Sequence, residues 1–342
     1  MIIAFTSITP NYLAKARVLA SSLKRIHPEI RFHLALAEAE TELSLPGEPF
    51  DEVANLTDLG LAGERGWIFQ HTVVELCTAI KGLYSERLLA RPEVEGVVYF
   101  DPDIAILGSL DPVLEGLRHA SILLTPHQIE PEKEHDAIID NEVCCLRHGV
   151  FNLGFLALRN SEVGRSFAQW WSRRLMAFCQ VDLESGIFTD QRWVDLAPAL
   201  FDELLVLRQP GLNVATWNFT HRHLAGTAPF EVEVNGEPLS FFHFSGFDSG
   251  AQLWMAIKYA ARMPVVFDLR NWYIRSCAAE GQREVGGIPW RYGFYQNGAP
   301  IQTDDRRLYR KTPGLRLRFP DPFITADPAR SYHHWLQART DL

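Results

Sequence analysis

The chain opens on an apolar run, Ile2-Ile3-Ala4-Phe5, closed by Thr6 and Ser7, and residues 1–7 predict a buried strand. Thr9-Pro10-Asn11 then reads as a helix start, with Thr9 as N-cap and Pro10 at the first helical position. Leu13, Ala16, Leu19, Ala20 and Leu23 continue that helix at helical spacing, and residues 31–37 predict a second strand. Strand, helix and strand in that order point to a parallel α/β sheet. A long helix is expected over 71–90, stopped by Arg91-Pro92, and Val97-Val98-Tyr99-Phe100 is a short apolar strand running straight into Asp101-Pro102-Asp103. Residues 104–107 are apolar again; 120–124 and 155–158 predict further strands, and 161–177 and 188–197 further helices. Residues 231–242 read as a hairpin about Asn235-Gly236, followed at once by His243-Phe244-Ser245-Gly246. Past residue 265 the texture changes to Trp272, Tyr273, Trp290, Tyr292, Phe294, Tyr295 and Tyr309 set among Gly, Pro and Arg. The expected organisation is therefore a main domain over 1–265 with a C-terminal extension, 266–342, packed on it.

Composition changes this picture little. At 342 residues, 47% apolar and 22% charged, the chain is of ordinary globular make-up. Its 33 basic against 42 acidic residues, a net charge of −9, argue against a nucleic-acid binder and require a local cation or a metal for any anionic substrate. No stretch reaches the roughly 18–20 apolar residues of a membrane span, and the start lacks the basic and apolar regions of a signal peptide. Five scattered cysteines without a CxxC pair read as reduced thiols of a cytosolic protein, with the adjacent Cys144 and Cys145 either redox-active or buried and inert. There is no GxxxxGK[ST], GxGxxG or GxSxG motif, which weakens ATPase, dehydrogenase and hydrolase readings.

The candidate chemistry centres on Asp101 and Asp103. Ligands of open α/β sheets sit beyond the carboxyl ends of strands, and a strand ending in Asp-x-Asp delivers two carboxylates there. Hard divalent cations take such oxygen ligands and bridge them to phosphates. A turn capped by both aspartates is the alternative, since Asp-Pro commonly starts a loop.

Downstream of the acid pair lie, in order, Phe151-Asn152-Leu153-Gly154-Phe155, Leu158-Arg159-Asn160, Thr189-Asp190-Gln191, Gly211-Leu212-Asn213 and His243-Phe244-Ser245-Gly246. This ordered set resembles the nucleotide-sugar glycosyltransferases of the GT-A fold over residues 1–250. It is most similar to their retaining family-eight group, the kin of glycogenin and of bacterial lipopolysaccharide galactosyltransferases. The resemblance implies a Rossmann-like α/β fold, a mostly parallel central sheet flanked by helices. It implies Mn²⁺ or Mg²⁺ held by Asp101, Asp103 and His243, and a nucleotide-sugar donor, UDP-linked, whose sugar is transferred with retention to a glycan or lipid-linked hydroxyl. Asn152 and Gly154 would line the donor sugar, with Asp190 at its hydroxyls and Gln191 near the anomeric carbon. Thr6, Ser7 and Tyr12 would meet the nucleotide, Tyr12 stacking on the base, and Lys81 would reach the phosphates or the sugar. Read singly, each has a plainer alternative: Asn152 in a turn before a strand, Asp190 or Thr189 as a helix N-cap, Tyr12 half-buried, Lys81 solvated, His243 in the core.

The sequence also departs from the family. No lysine follows His243-Phe-Ser-Gly246 before Lys258, where the family has Lys-Pro-Trp on the diphosphate, and Asp190-Gln191-Arg192 replaces Asp-Gln-Asp. A haloacid-dehalogenase-like phosphatase shares a strand ending in Asp-x-Asp but expects Thr or Val where Ala105 stands; a catalytically inactive sugar-binding module is the other alternative. His221-x-His223 reads as acceptor-site or surface histidines and His333-His334 as exposed. Arg306, Arg307, Arg310, Lys311, Arg316 and Arg318 read as a basic face, solvated or turned to a phosphorylated acceptor or an anionic membrane. The expected setting is cytoplasmic, at the inner face of a membrane.

Overall fold

The computed structural model describes residues 1–40, 43 and 45–340, so the end of the C-terminal segment, 341–342, lies outside the described residues. Its centre is a seven-stranded sheet. The elements that position the site are β1 (Ile2–Ile8), α1 (Leu13–Ile26), β2 (Arg31–Leu36), β3 (Glu52–Ala54), α2 (Val73–Leu89), β4 (Gly96–Phe100), β5 (Ile104–Ile106), β6 (Ile122–Pro126), β7 (Phe151–Arg159), α3 (Glu162–Phe178), β8 (Leu204–Val206) and β9 (Phe241–His243). The sheet order is β8-β6-β7-β4-β1-β2-β3. β1 pairs in parallel with β2 and β4, and β7 runs antiparallel to both of its neighbours. The expected α/β class with a mostly parallel sheet is therefore what the chain adopts.

Near-continuous apolar strands are the mark of a sheet covered on both faces. Along β1, Ile3 and Phe5 enter one apolar cluster while Ala4 and Ile8 enter the other; along β4, Val97 and Tyr99 part from Val98 and Phe100 in the same way. α2 and α3 cover the first face. They approach closely because Gly82 has no side chain: a Cβ there would lie 2.7 Å from the Ser172 Cα. α2 starts on a capping box, Thr72 with Glu75.

Several sequence expectations need correction. Thr9 does not cap α1: its hydroxyl donates to Asn11 Oδ1, and Pro10–Tyr12 forms a 3₁₀ turn before the helix proper. The segment 188–197 is broken into the short helices Gln191–Val194 and Ala197–Leu200. The Asn235-Gly236 turn does join Glu231–Val234 to Glu237–Pro238, but the returning arm ends there and Phe241–His243 pairs with β5 instead. Arg306 is buried rather than part of a basic face; it donates to the carbonyls of Phe69 and His71, while Phe69 meets Tyr309, Phe323 and Tyr332 edge to face. His333 and His334 are half-buried, not exposed, and Cys144 is exposed rather than buried.

Buried imidazoles, His33 and His71 among them, work against this fold in acid. His33 and His71 are each about 1% exposed, and burial pushes both down to about 4. Unfolded, they take up protons below about 6.5, whereas folded they stay neutral, so stability is complete above that pH and is lost as pH falls toward 4. The melting temperature is expected to drop steeply between pH 6.5 and 4, less so in His33→Gln; a flat profile across that range contradicts the assignment.

Candidate metal and donor site

β4 ends at Phe100 and the next residue is Asp101, whose backbone N–H donates to the Gly154 carbonyl at 2.8 Å, while Ile104 N–H closes a turn on the Asp101 carbonyl. The chain then enters β5, which pairs antiparallel with β9 in the register His243↔Ile104, and Phe244 N–H donates to the Asp103 carbonyl. This two-stranded ladder carries His243 to the acid pair. His243 Nε2 lies 3.1 Å from Asp103 Oδ1 and 3.8 Å from Asp101 Oδ2. One ligand atom from each of the three side chains falls within 4.8 Å of the others.

The imidazole is aimed. Asn152 Oδ1 accepts from His243 Nδ1 at 3.2 Å, from Gly154 N–H and from the Asn213 amide, whose Nδ2 also donates to Thr125 Oγ1. With Nδ1 so engaged, Nε2 is the nitrogen that faces the carboxylates, the arrangement that orients a ligating histidine. Burial opposes charge on His243, but Asp103 and then Asp101 outweigh it, so the imidazole titrates above its ordinary value. Burial likewise raises Asp103, and His243 with Lys15 outweighs it, leaving that carboxyl below its ordinary range. Two carboxylates and one imidazole suit Mg²⁺ or Mn²⁺ better than a thiophilic ion.

Asn152 and Gly154 thus have a different immediate duty from the one expected. Asn152 lies within β7, not in a turn before it, and holds the histidine. A Cβ on Gly154 would lie 2.8 Å from both Asn152 Oδ1 and His243 Nδ1, closer still to His243 Cε1, so the absent side chain makes room for the imidazole. Gly154→Ala is expected to weaken divalent-ion affinity about 10- to 100-fold while leaving the sheet intact. Isothermal titration with Mn²⁺ checks this; wild-type affinity would show that the ring has room to spare.

Lys81 is neither solvated nor free to meet phosphates. Its ammonium is 3.1 Å from both Asp101 Oδ1 and Asp190 Oδ2, 3.4 Å from the Leu153 carbonyl, and 4.1 Å from the centre of the Tyr99 ring. Tyr99 donates to the same Asp101 oxygen at 2.6 Å. Burial works against the lysine's charge, and the two carboxylates more than restore it, so its titration moves up. Burial also raises Asp190 above the usual carboxylate range, Lys81 offsetting only part of that. Asp190 stands at the start of a short helix but makes no capping hydrogen bond. The preceding Thr189 is held at φ +43°, an uncommon conformation for a β-branched residue, and its hydroxyl donates to Asp190 Oδ1. Gln191 is fixed at both ends, Oε1 accepting from Leu153 N–H at 3.1 Å and Nε2 donating to the His148 carbonyl at 3.0 Å.

Asp101, Lys81, Asn152, Gly154, Asp190, Gln191 and His243 line one cavity of about 480 Å³. Ser7, Tyr12, Asp101, Asp103 and Lys81 line a second, of about 260 Å³. Thr6 is not on either wall, because successive strand residues face opposite ways and Ser7 takes the cavity side; Thr6 is fully buried, its hydroxyl without a partner among the described residues. Ser7 itself donates to the Cys77 carbonyl.

Some site residues escaped sequence reading. Tyr12 donates to Asp248 Oδ2 at 2.6 Å, and the buried Lys15, one turn into α1, pairs with the same oxygen. Lys15 is thus a cation beside the loop that follows β9, a stretch that carries no lysine of its own before Lys258; its spacing from Tyr12 was the available signal. Trp217 stands edge-on to both His243 and His127, with centroids 5.2 and 5.0 Å away. His221 lies by Glu132 at 3.2 Å, and His223 is exposed.

No protein-family model matches the chain. It is 28% identical over 177 residues to the uncharacterized protein YfnF of Bacillus subtilis (strain 168), covering 51% of this chain and 57% of that one. It is 25% identical over 217 residues to the uncharacterized protein YfnD of the same strain, covering 59% and 66%. The chain thus spans less than two thirds of the length of these curated relatives. Among solved structures it is similar to the galactosyltransferase LgtC in complex with donor and acceptor sugar analogs, at 17% identity and a TM-score of 0.49, covering 85% of this chain and 99% of that one. It is also similar to mouse xyloside xylosyltransferase 1 in its apo form, at 17% identity and a TM-score of 0.40, covering 71% and 97%.

Proposed function

We propose that the chain is a glycosyltransferase of the GT-A kind that moves a sugar from a UDP-linked donor to a hydroxyl acceptor, with retention. The observation that carries this reading is the convergence of Asp101, Asp103 and His243 at a strand end, beside a cavity that also holds Asp190 and Gln191. Asp101, Asp103 and His243 would hold Mn²⁺ or Mg²⁺, which supplies Lewis-acid stabilisation of a departing diphosphate. The protein's own groups do the rest. Lys81 holds Asp101 and Asp190 in place, 3.1 Å from each, so neither side chain has to be ordered as the donor binds. Asp190 accepts hydrogen bonds from sugar hydroxyls, and the doubly anchored Gln191 presents a rigid edge toward the anomeric carbon. Asn152 and Gly154 bound the sugar on the β7 side, and Ser7 and Tyr12 line the way to the nucleotide.

The acceptor in this reading is a glycan or lipid-linked hydroxyl, handled in the cytoplasm at the inner face of a membrane. The exposed Lys311, Arg316, Leu317 and Arg318 support a peripheral contact there, and no helix among the described residues is long and apolar enough to cross a bilayer. Incubation with a panel of nucleotide sugars and Mn²⁺ tests the reaction. Release of UDP with an α-configured product from an α-configured donor is expected, read by proton NMR. An inverted anomer removes retention, and no turnover of any donor, with or without simple sugar acceptors, counts against the enzyme reading.

A further inference from the structure

An ion held by Asp101 and Asp103 is already balanced by those carboxylates, so a diphosphate bound to it brings negative charge that calls for a further cation. Among the described residues that line the two cavities, the one lysine or arginine is Lys81, and it is taken up by Asp101 and Asp190. The next cation stands just behind the wall. Lys15 is about 3% exposed, its ammonium 4.1 Å from the centre of the Tyr12 ring and 5.7 Å from that of Phe247. It pairs with Asp248 Oδ2, the oxygen that also accepts from the Tyr12 hydroxyl, and Tyr12 lines the smaller cavity together with Asp103.

The two partners of this pair differ in kind. Lys15 is buried, whereas the Asp248 side chain is 55% exposed. Asp248 belongs to the loop after β9, between Gly246 at φ +75° and Gly250 at φ +79°, and Ser245 at the start of that loop lines the larger cavity. Phe247 holds the loop backbone in place: its N–H donates to the Phe244 carbonyl and its ring stands edge-on to Tyr273 at 5.2 Å. A carboxylate already half in water leaves by turning its own side chain, and water takes up its charge. The ammonium left behind is buried and needs another anion. The free protein thus keeps an anion of its own on the cation that a diphosphate would use.

We infer that Asp248 is a built-in stand-in for the donor's diphosphate, and that Lys15, with the Tyr12 hydroxyl, binds the phosphate oxygens once Asp248 turns away. This rests on the nucleotide-sugar reading above and deepens it by assigning the groups that hold the diphosphate. Charge-assisted hydrogen bonds from an ammonium to phosphate are strong enough to displace a half-exposed carboxylate. The exchange also lowers apparent donor affinity, because the latched form has to open first.

Wild type, Asp248→Asn, Lys15→Met and the double variant test this. Each is titrated calorimetrically with Mn²⁺ alone and then with UDP, ADP and GDP in the presence of Mn²⁺. For the nucleotide that wild type binds, Asp248→Asn is expected to bind about three- to tenfold more tightly, since the competing anion is gone. Lys15→Met is expected to bind about tenfold or more weakly. In the double variant the gain from Asp248→Asn is expected to vanish, because no latch is left to open. Effects through the metal run the other way: losing a cation beside Asp103 strengthens Mn²⁺ binding, and losing an acid weakens it. Nucleotide binding by Asp248→Asn that is equal to wild type or weaker overturns the inference, since that is what a purely structural ion pair would give. A gain that persists in the double variant also overturns it, by showing only a general field effect, and so does wild-type affinity in Lys15→Met. If Lys15→Met does not fold, the sign of the Asp248→Asn effect decides alone. Wild type that binds none of the three nucleotides with Mn²⁺ overturns the nucleotide-sugar reading itself, and this inference with it.

Discussion

Asp103→Ala is expected to abolish sugar transfer while leaving the melting temperature within a few degrees of wild type. The side chain is partly exposed and belongs to a turn whose backbone bonds, Ile104 N–H to Asp101 and Phe244 N–H to Asp103, do not depend on the carboxylate. What the variant loses is one of three converging ligands. A lost outer partner of a metal ligand costs about 10- to 100-fold in affinity, so loss of a ligand itself should exceed that. Mn²⁺ titration and a donor-hydrolysis assay read the two effects separately. Turnover at the wild-type rate in Asp103→Ala contradicts the metal assignment, because no other acid among the described residues stands in the trio with Asp101 and His243.

The second large effect is at Lys81. Removing one partner of a buried ion pair strands the other, at a cost of about 3–5 kcal/mol. Here Lys81→Met leaves Asp190, about 4% exposed, without its cation, while Asp101 keeps the Tyr99 hydroxyl. The expected result is a drop in melting temperature on the order of 10 °C, together with loss of transfer. Adding Asp190→Asn removes the stranded charge and should recover most of the stability but none of the activity. A double variant no more stable than Lys81→Met would show that the pair does not carry this energy. Chemical denaturation of the four proteins of the cycle supplies the measurement.

How far the sequence led can be judged from particular residues. β1, β4 and the Asp-x-Asp that ends β4 were legible because burial on both faces leaves an uninterrupted apolar run, and the polarity breaks where the strand meets the site. The strand β9 was misassigned to its hairpin because Asn235-Gly236 is a strong local turn signal, whereas the pairing of Phe241–His243 with Ile104–Ile106 is contact between segments far apart in the chain. Local pattern carries no record of such a partner. Lys81 shows the same limit: on α2 it has the spacing of any helical lysine, and only the arrival of Asp101 from β4 and Asp190 from beyond α3 makes it a buried bridge. Asn152 and Gly154 were picked out as site residues, but their work on the His243 ring follows from adjacency across β7 that no linear spacing reveals. Arg306 fell the other way: a run of basic residues reads as a surface, and the buried member is distinguished only by the carbonyls of Phe69 and His71 that meet it.

All of this turns on one coordination sphere drawn from two remote parts of the polypeptide. Pulsed EPR of Mn²⁺ bound to the wild-type protein examines it most directly. A nitrogen coupling from a coordinated imidazole is expected, present in wild type, absent in His243→Ala, and perturbed in Gly154→Ala. Mn²⁺ bound with no nitrogen coupling, or with one that survives the loss of His243, would contradict the account.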